Sequence, residues 1–148
     1  MGRKMSLLSC TSNASAWRGY EYYESKNVVS WKQIGESQFK GFVKGSADQP
    51  YHVIIDVAHP RKSTCNCPFA DGKRKICKHQ VALFFTIFPN EAKKYIKEIE
   101  DYEQEQEQRE QERYGEIVKY VNSLSKAELR NALINALEEQ DERNKHWY

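Results

Sequence analysis

Cys65-Asn66-Cys67-Pro68-Phe69-Ala70-Asp71-Gly72-Lys73-Arg74-Lys75-Ile76-Cys77-Lys78-His79 gathers three of the chain's four cysteines and one of its four histidines into fifteen residues. The spacing is C-x-C-x9-C-x-H, and it admits a disulfide, a catalytic thiol, a metal site or coincidence. In a strand, residues i and i+2 point to the same side, so Cys65 and Cys67 can present both sulfurs to one ion. In a helix, i and i+2 do not share a face. Cys77 is therefore expected at or just before a helix start, with His79 in the first turn. A helix N-terminus stabilises negative charge and suits a thiolate. Pro68-Phe69-Ala70-Asp71-Gly72 has the composition of a reversing loop that returns the second pair to the first.

Three thiolates and one imidazole fill a tetrahedral zinc shell with no position left for water, so the site reads as structural: one Zn2+ held by Cys65, Cys67, Cys77 and His79. A Cys65–Cys67 disulfide would be strained, and a reducing cytoplasm disfavours other pairings. A Cys77–His79 catalytic pair would leave Cys65 and Cys67 unexplained and has no orienting residue in view. Cys10 stands apart as a small apolar or free thiol. His52 on a strand and His59 before Pro60 do not fit the ligand spacing, and His146 lies near the end of the sequence.

Outward from the cluster, the N-terminal side reads as short strands. Arg18–Tyr23 is aromatic-rich, Val28–Ile34 follows a turn at Ser25-Lys26-Asn27, and Phe39–Val43 follows Gly35-Glu36. Tyr51–Val57 is the clearest, with Tyr51, Val53, Ile55 and Val57 on one face at period two. Turns every eight to twelve residues predict an antiparallel meander. On the C-terminal side, His79–Phe88 is too apolar for a surface helix and is expected to be buried, ending at Pro89. A next helix starts near Asn90 with a stripe of Ala92, Tyr95, Ile96, Ile99 and Tyr102. The stripe fades into a Glu/Gln-rich run, expected to be a solvated helix or a frayed linker. Ser125-Lys126-Ala127-Glu128 is a capping box. The stripes Ile117, Val121, Leu124 and Leu129, Leu133, Ala136, Leu137 predict a helical hairpin with a seam to bury.

The fold class expected is α+β: a small antiparallel β-meander leading into a ββα zinc module, followed by C-terminal helices. Residues 1–15 would be a flexible N-terminus, 16–89 the meander and zinc module, 90–113 the acidic helix or linker, and 114–148 the hairpin. The chain's 148 residues suit one domain with an extension. Hydrophobic residues make up 39 % and charged residues 30 % of the chain. Its mean hydropathy is −0.85, so part of it buries little. No apolar run approaches the roughly 20 residues that span a bilayer. The location expected is cytoplasmic.

These residues resemble the SWIM-type zinc finger family, whose signature is C-x-C followed, after a variable loop, by C-x-H. Arg18–Tyr23, Val28, Val43-x-Gly45-Ser46 and Tyr51-x-Val53 are similar to strands that precede the motif in bacterial members. Leu124-Ser125-x-x-Glu128-Leu129 is similar to a helix that follows it in some of them. The resemblance implies a β-β-α zinc module that binds DNA or proteins. No helicase, nuclease or kinase signature is present, and no glycine loop or carboxylate pair suggests an enzyme.

The net charge is only +2, but it is segregated. Arg61, Lys62, Lys73, Arg74, Lys75 and Lys78 face Asp71 alone between residues 61 and 79. Glu98, Glu100, Asp101, Glu103, Glu105, Glu107, Glu110 and Glu112 face Arg109 alone between residues 98 and 112. The basic six are expected to cluster and to neutralise phosphates of a nucleic acid, DNA first. Trp17, Tyr20, Tyr22, Tyr23 and Trp31 are candidate stacking surfaces, although aromatics at strand spacing are commonly core. The alternative is a protein-interaction adaptor acting through the C-terminal helices. Neither a membrane nor a small-molecule substrate is expected as a partner.

Overall fold

The computed structural model describes residues 6–145, so His146 and residues 1–5 lie outside the described residues. Two units are distinguished, one ending at Lys97 and one beginning at Glu98. The first carries a four-stranded antiparallel sheet in the order β1-β2-β3-β4: Val28–Gln33, Gln38–Val43, Tyr51–Asp56 and Thr64–Cys65. Phe39, Val43, Val53, Ile55 and Cys65 are buried. The alternate positions Lys40, Phe42, His52, Ile54 and Thr64 are half-buried or exposed. This period of two gives the sheet one inner and one outer face. The register places Trp31, Gly41, Val53 and Cys65 across the inner face, and Lys32, Lys40, Ile54 and Thr64 across the outer one.

The inner face is covered by helices. Residues Arg18–Tyr23, expected as a strand, belong instead to helix α1, Asn13–Glu24. The aromatic content suggested β-structure, but Ala16, Gly19, Tyr20 and Tyr23 recur at three- and four-residue steps, the helical period. Ser12 caps the helix by accepting a hydrogen bond from the Ser15 N–H. Gly19 lies where α1 meets the next helix, and a Cβ there would run into the side chain of Val81. The end of α1 is a Schellman turn: the Asn27 N–H donates to the Tyr22 carbonyl and the Lys26 N–H to that of Tyr23. Lys26 adopts φ 57°, a left-handed conformation. Ahead of α1, Leu7 is only 1 % exposed and joins the core.

Helix α2, Lys78–Ile87, is buried on all sides from His79 to Phe85, as its sequence predicts. Phe88 closes it and Pro89 opens α3, which runs without a break from Pro89 to Ser123. Pro tolerates a first helical position because its missing N–H would find no partner there. Ala92 is buried and Tyr95 packs on Tyr20 and Phe85. The Glu/Gln run therefore continues a helix begun by a packed turn.

In the second unit, α4 spans Lys126–Lys145 behind the expected capping box. The Ser125 hydroxyl accepts from the Glu128 N–H, and the Glu128 carboxylate accepts from the Ser125 N–H. The residues of the expected seam are exposed: Ile117 is 53 % exposed, Leu133 61 % and Leu137 56 %.

Candidate metal centre and basic groove

Cys65, Cys67, Cys77 and His79 converge at the junction of β4 and α2, with their ligand atoms all within 4.8 Å of one another. Cys65 lies opposite Val53 in the β3–β4 ladder and so points inward. Cys67, expected on the same strand, instead heads a turn, where its carbonyl accepts from the Ala70 and Asp71 N–H groups. Asn66 carries the strand geometry past the end of β4. Its N–H donates to the His52 carbonyl, and its side-chain oxygen accepts from the His52 N–H. The two-residue spacing thus still brings both sulfurs to one side.

Cys77 is the N-cap of α2, and His79 lies in its first turn. Cys77 and Gln80 form a capping box in which the sulfur accepts from the Gln80 N–H and the Gln80 side chain accepts from the Cys77 N–H at 2.8 Å. Gln80 was missed in the sequence; its signal is the position three residues after the cap. Among themselves the sulfurs divide negative charge unevenly. A hydrogen bond from the Cys65 thiol, with others from His79 and the Gln80 N–H, outweighs burial and holds Cys77 down at about 4. The bond to Cys77 and burial push Cys65 far up, and burial with the Cys77 charge pushes Cys67 up. A divalent cation amid the three sulfurs is what allows all of them to ionise together.

Nδ1 of His79 lies 3.7 Å from Cys77 Sγ and 3.9 Å from Cys65 Sγ. Zinc ligands at ordinary bond lengths stand about 3.6 Å apart along a sulfur–nitrogen edge. The donor set and its spacing therefore fit zinc, with Nδ1 as the ligating nitrogen. Nε2 is buried without a hydrogen-bond partner. The ring is held by packing instead: Tyr51 lies 4.6 Å and Tyr22 5.5 Å from it, centroid to centroid. Gly45 backs this pair so closely that a Cβ there would lie 3.0 Å from Nε2.

A model of the SWIM zinc finger family matches residues 51–88, from the start of β3 to the end of α2. Residues 51–88 are a SWIM zinc finger. Among curated proteins and among solved structures, no significant match to the chain was found. In the finger, the four ligands would hold one zinc ion whose role is to tie β4 to α2, since the shell leaves no open position for catalysis.

The six basic residues singled out in the sequence separate in space. Arg61, Lys62, Lys73 and Arg74 line an open groove of about 970 Å³ along the outer side of the finger, joined by Lys40, His52 and His59. Asp71 is the one acidic residue on its walls. Lys75 lies over the Phe69 ring at 5.1 Å. Lys78 lies over Tyr22 at 4.9 Å and borders, with Arg18, a small depression beside Cys67, Cys77 and His79. Neither of these two cations lines the groove. Lys40 and His52 were not foreseen as groove residues. They occupy the positions of period two left over once the core face is assigned.

The stacking candidates also divide. Tyr20 and Tyr23 pack on Phe85, and Tyr22 on His79, so all three serve the core. Trp17 and Trp31 are 41 % and 45 % exposed. At the far end of β3, Asp56 is buried. Burial would raise its pKa, yet hydrogen bonds from the His59 N–H, the Ser37 hydroxyl, the Gln38 amide and the Ala58 N–H hold it below the ordinary 3.8. His59 Nδ1 stands 3.8 Å from its carboxylate. Among the described residues, no helix is long and apolar enough to cross a membrane.

Proposed function

We propose that this SWIM finger binds nucleic acid, DNA first, through the groove on its outer side, and acts by binding rather than by catalysis in a reducing, cytoplasmic setting. The observation that carries the reading is that Arg61, Lys62, Lys73, Arg74 and Lys40 share one groove against a single carboxylate, Asp71. A wall of that sign concentrates phosphates and releases their counterions. The zinc supports the groove and does not touch the ligand. The test is binding of labelled DNA over a salt series by the parent and by Lys73→Ala/Arg74→Ala. Loss of two phosphate contacts is expected to lower the slope of log K against log salt by about 2. Binding that ignores both salt and these substitutions would overturn the reading.

A second reading, an adaptor acting through the C-terminal helices, is supported by a specific observation. Ile117, Val118, Val121, Leu129, Leu133 and Leu137 are all more than a third exposed and recur at helical spacing. On this reading a second polypeptide covers them. Sedimentation of the full chain alone, and of Leu133→Glu, checks it for self-association. A monomer at every concentration, equal for both proteins, would exclude a second copy as that polypeptide.

A further inference from the structure

We infer that the nucleic acid taken by the groove is single-stranded, and that its bases stack on Phe42 and His52 on the outer face of the sheet. The inference rests on the nucleic-acid reading above and adds the form of the strand and the rings that receive it.

The argument starts from the two faces of the sheet. The helices cover the inner face, with α2 packed against β1, β2 and β3. The outer face carries residues that are exposed or half-buried. On it, Phe42 pairs across the ladder with His52 and Ser30, while Lys40 pairs with Ile54 and Lys32. The Phe42 and His52 rings meet edge to face, with centroids 4.6 Å apart. His52 is exposed and Phe42 half-buried, and Phe42 is not among the residues of the core cluster. Phe42 and His52 form a cross-strand pair that stabilises the sheet, and the pair lies outside the buried core cluster. Around this pair the surface is cationic: Lys40 Nζ lies 5.8 Å from the Phe42 centroid. His52 and Lys40 also line the groove with Arg61, Lys62, Lys73 and Arg74.

Rings that reach the surface and cations that follow a backbone are the two elements of single-strand recognition. A duplex has its bases stacked on one another and cannot offer their faces to a ring in a sheet, whereas an unpaired strand can. The charge decides against an apolar occupant, and the rings give an unpaired base something that a phosphate contact alone does not.

The test is fluorescence anisotropy with labelled oligothymidylate and a labelled duplex of equal length, each at two salt concentrations. The proteins are the zinc-loaded full chain, Phe42→Leu, Phe42→Tyr, His52→Ala and Lys73→Ala/Arg74→Ala. Zinc content and near-UV circular dichroism check each fold. His52→Ala, at an exposed position, keeps the test decisive where Phe42→Leu disturbs the sheet. Phe42→Leu is expected to weaken oligothymidylate binding roughly 5- to 150-fold, the range for losing one base stack, with the salt slope unchanged. Phe42→Tyr restores it, and duplex binding does not respond to either. Lys73→Ala/Arg74→Ala weakens both forms and flattens the salt slope. If that pair weakens binding while Phe42→Leu and His52→Ala leave oligothymidylate affinity intact, the stacking surface is refuted and the groove stands. If neither nucleic acid binds, or poly-glutamate displaces them as readily as unlabelled oligothymidylate does, both readings fall.

Discussion

Replacing Gly45 by alanine probes the metal centre without touching a ligand. The added Cβ would lie 2.5 Å from Tyr51 Cε2 and 3.0 Å from both Tyr51 Cδ2 and His79 Nε2, where ordinary contact starts at 3.4 Å. The Tyr51 ring must therefore retreat by about 1 Å, and overpacking of that kind costs about 1–3 kcal/mol. The same ring packs against the imidazole at a tilt, 4.6 Å away between centroids. Nε2 has no hydrogen bond to keep the ring in place once that packing shifts. The cost then falls on metal binding. It corresponds to a loss of zinc affinity of about 5- to 150-fold, in line with the effect of disturbing residues that orient metal ligands. Competition against a chromophoric chelator measures the affinity, and denaturant unfolding at saturating zinc measures the stability. Gly115→Ala is the control: its Cβ meets nothing within 4 Å, and in the exposed interior of α3 it should add about 1 kcal/mol of helix stability. If Gly45→Ala binds zinc within about twofold of the parent and unfolds at the same denaturant concentration, the packing account of His79 is refuted.

Chelating the zinc should abolish the cooperative unfolding transition of the unit that ends at Lys97. Structural zinc contributes on the order of 10–16 kcal/mol, against about 5–14 kcal/mol of total stability for a unit of this length. Near-UV circular dichroism, to which Trp17 and Trp31 contribute, would collapse, and an unchanged spectrum would contradict the structural role. Because the Asp56 pKa is lowered on folding, the stability it contributes is complete above its ordinary value and is lost as pH falls through its depressed folded value. Asp56→Asn should therefore flatten the loss of stability in acid, as read from denaturant midpoints across that range; an unchanged acid limb would refute the assignment. Lys26→Gly, at φ 57°, should stabilise the protein by about 0.5–1 kcal/mol by relieving the left-handed conformation. A destabilised variant would mean that the lysine side chain contributes more than its backbone costs.

The metal quartet and the burial of α2 were legible because both are local. Ligand spacing is fixed by strand and helix geometry over a few residues, and the run from His79 to Phe85 has no polar face to offer solvent. The helix at Asn13–Glu24 was hidden because Tyr20, Tyr22 and Tyr23 read as strand residues. What favours the helix is tertiary: Gly19 fits against Val81, and Tyr20 and Tyr23 reach Phe85. Cys67 fell outside β4 because Asn66, through its side chain, takes over the pairing that a longer strand would have made. The six basic residues lie between residues 61 and 78, yet which of them line the groove depends on where the loop between the ligand pairs turns. The C-terminal stripes were legible as stripes, but periodicity shows that a face is apolar and not what covers it.

The alternation along β3 and β4 links the metal centre to the proposed binding groove. Val53 and Cys65 face inward, while the flanking His52, Ile54, Thr64 and Asn66 face outward or stand at the groove wall. A side chain that holds zinc and the side chains that line the groove are thus neighbours on one edge strand of two residues. A strand this short does not hold its own register. What fixes it is Cys65 in the metal cluster on one side and the Asn66–His52 pairing on the other. Without that anchor the edge frays, and the groove loses Thr64, Cys65 and Asn66 from its wall, although every lysine and arginine remains in the chain. On the proposed reading, binding therefore depends on zinc even though the ion touches no nucleotide. The closed coordination shell fits this division, since an ion that only positions a strand needs no open site.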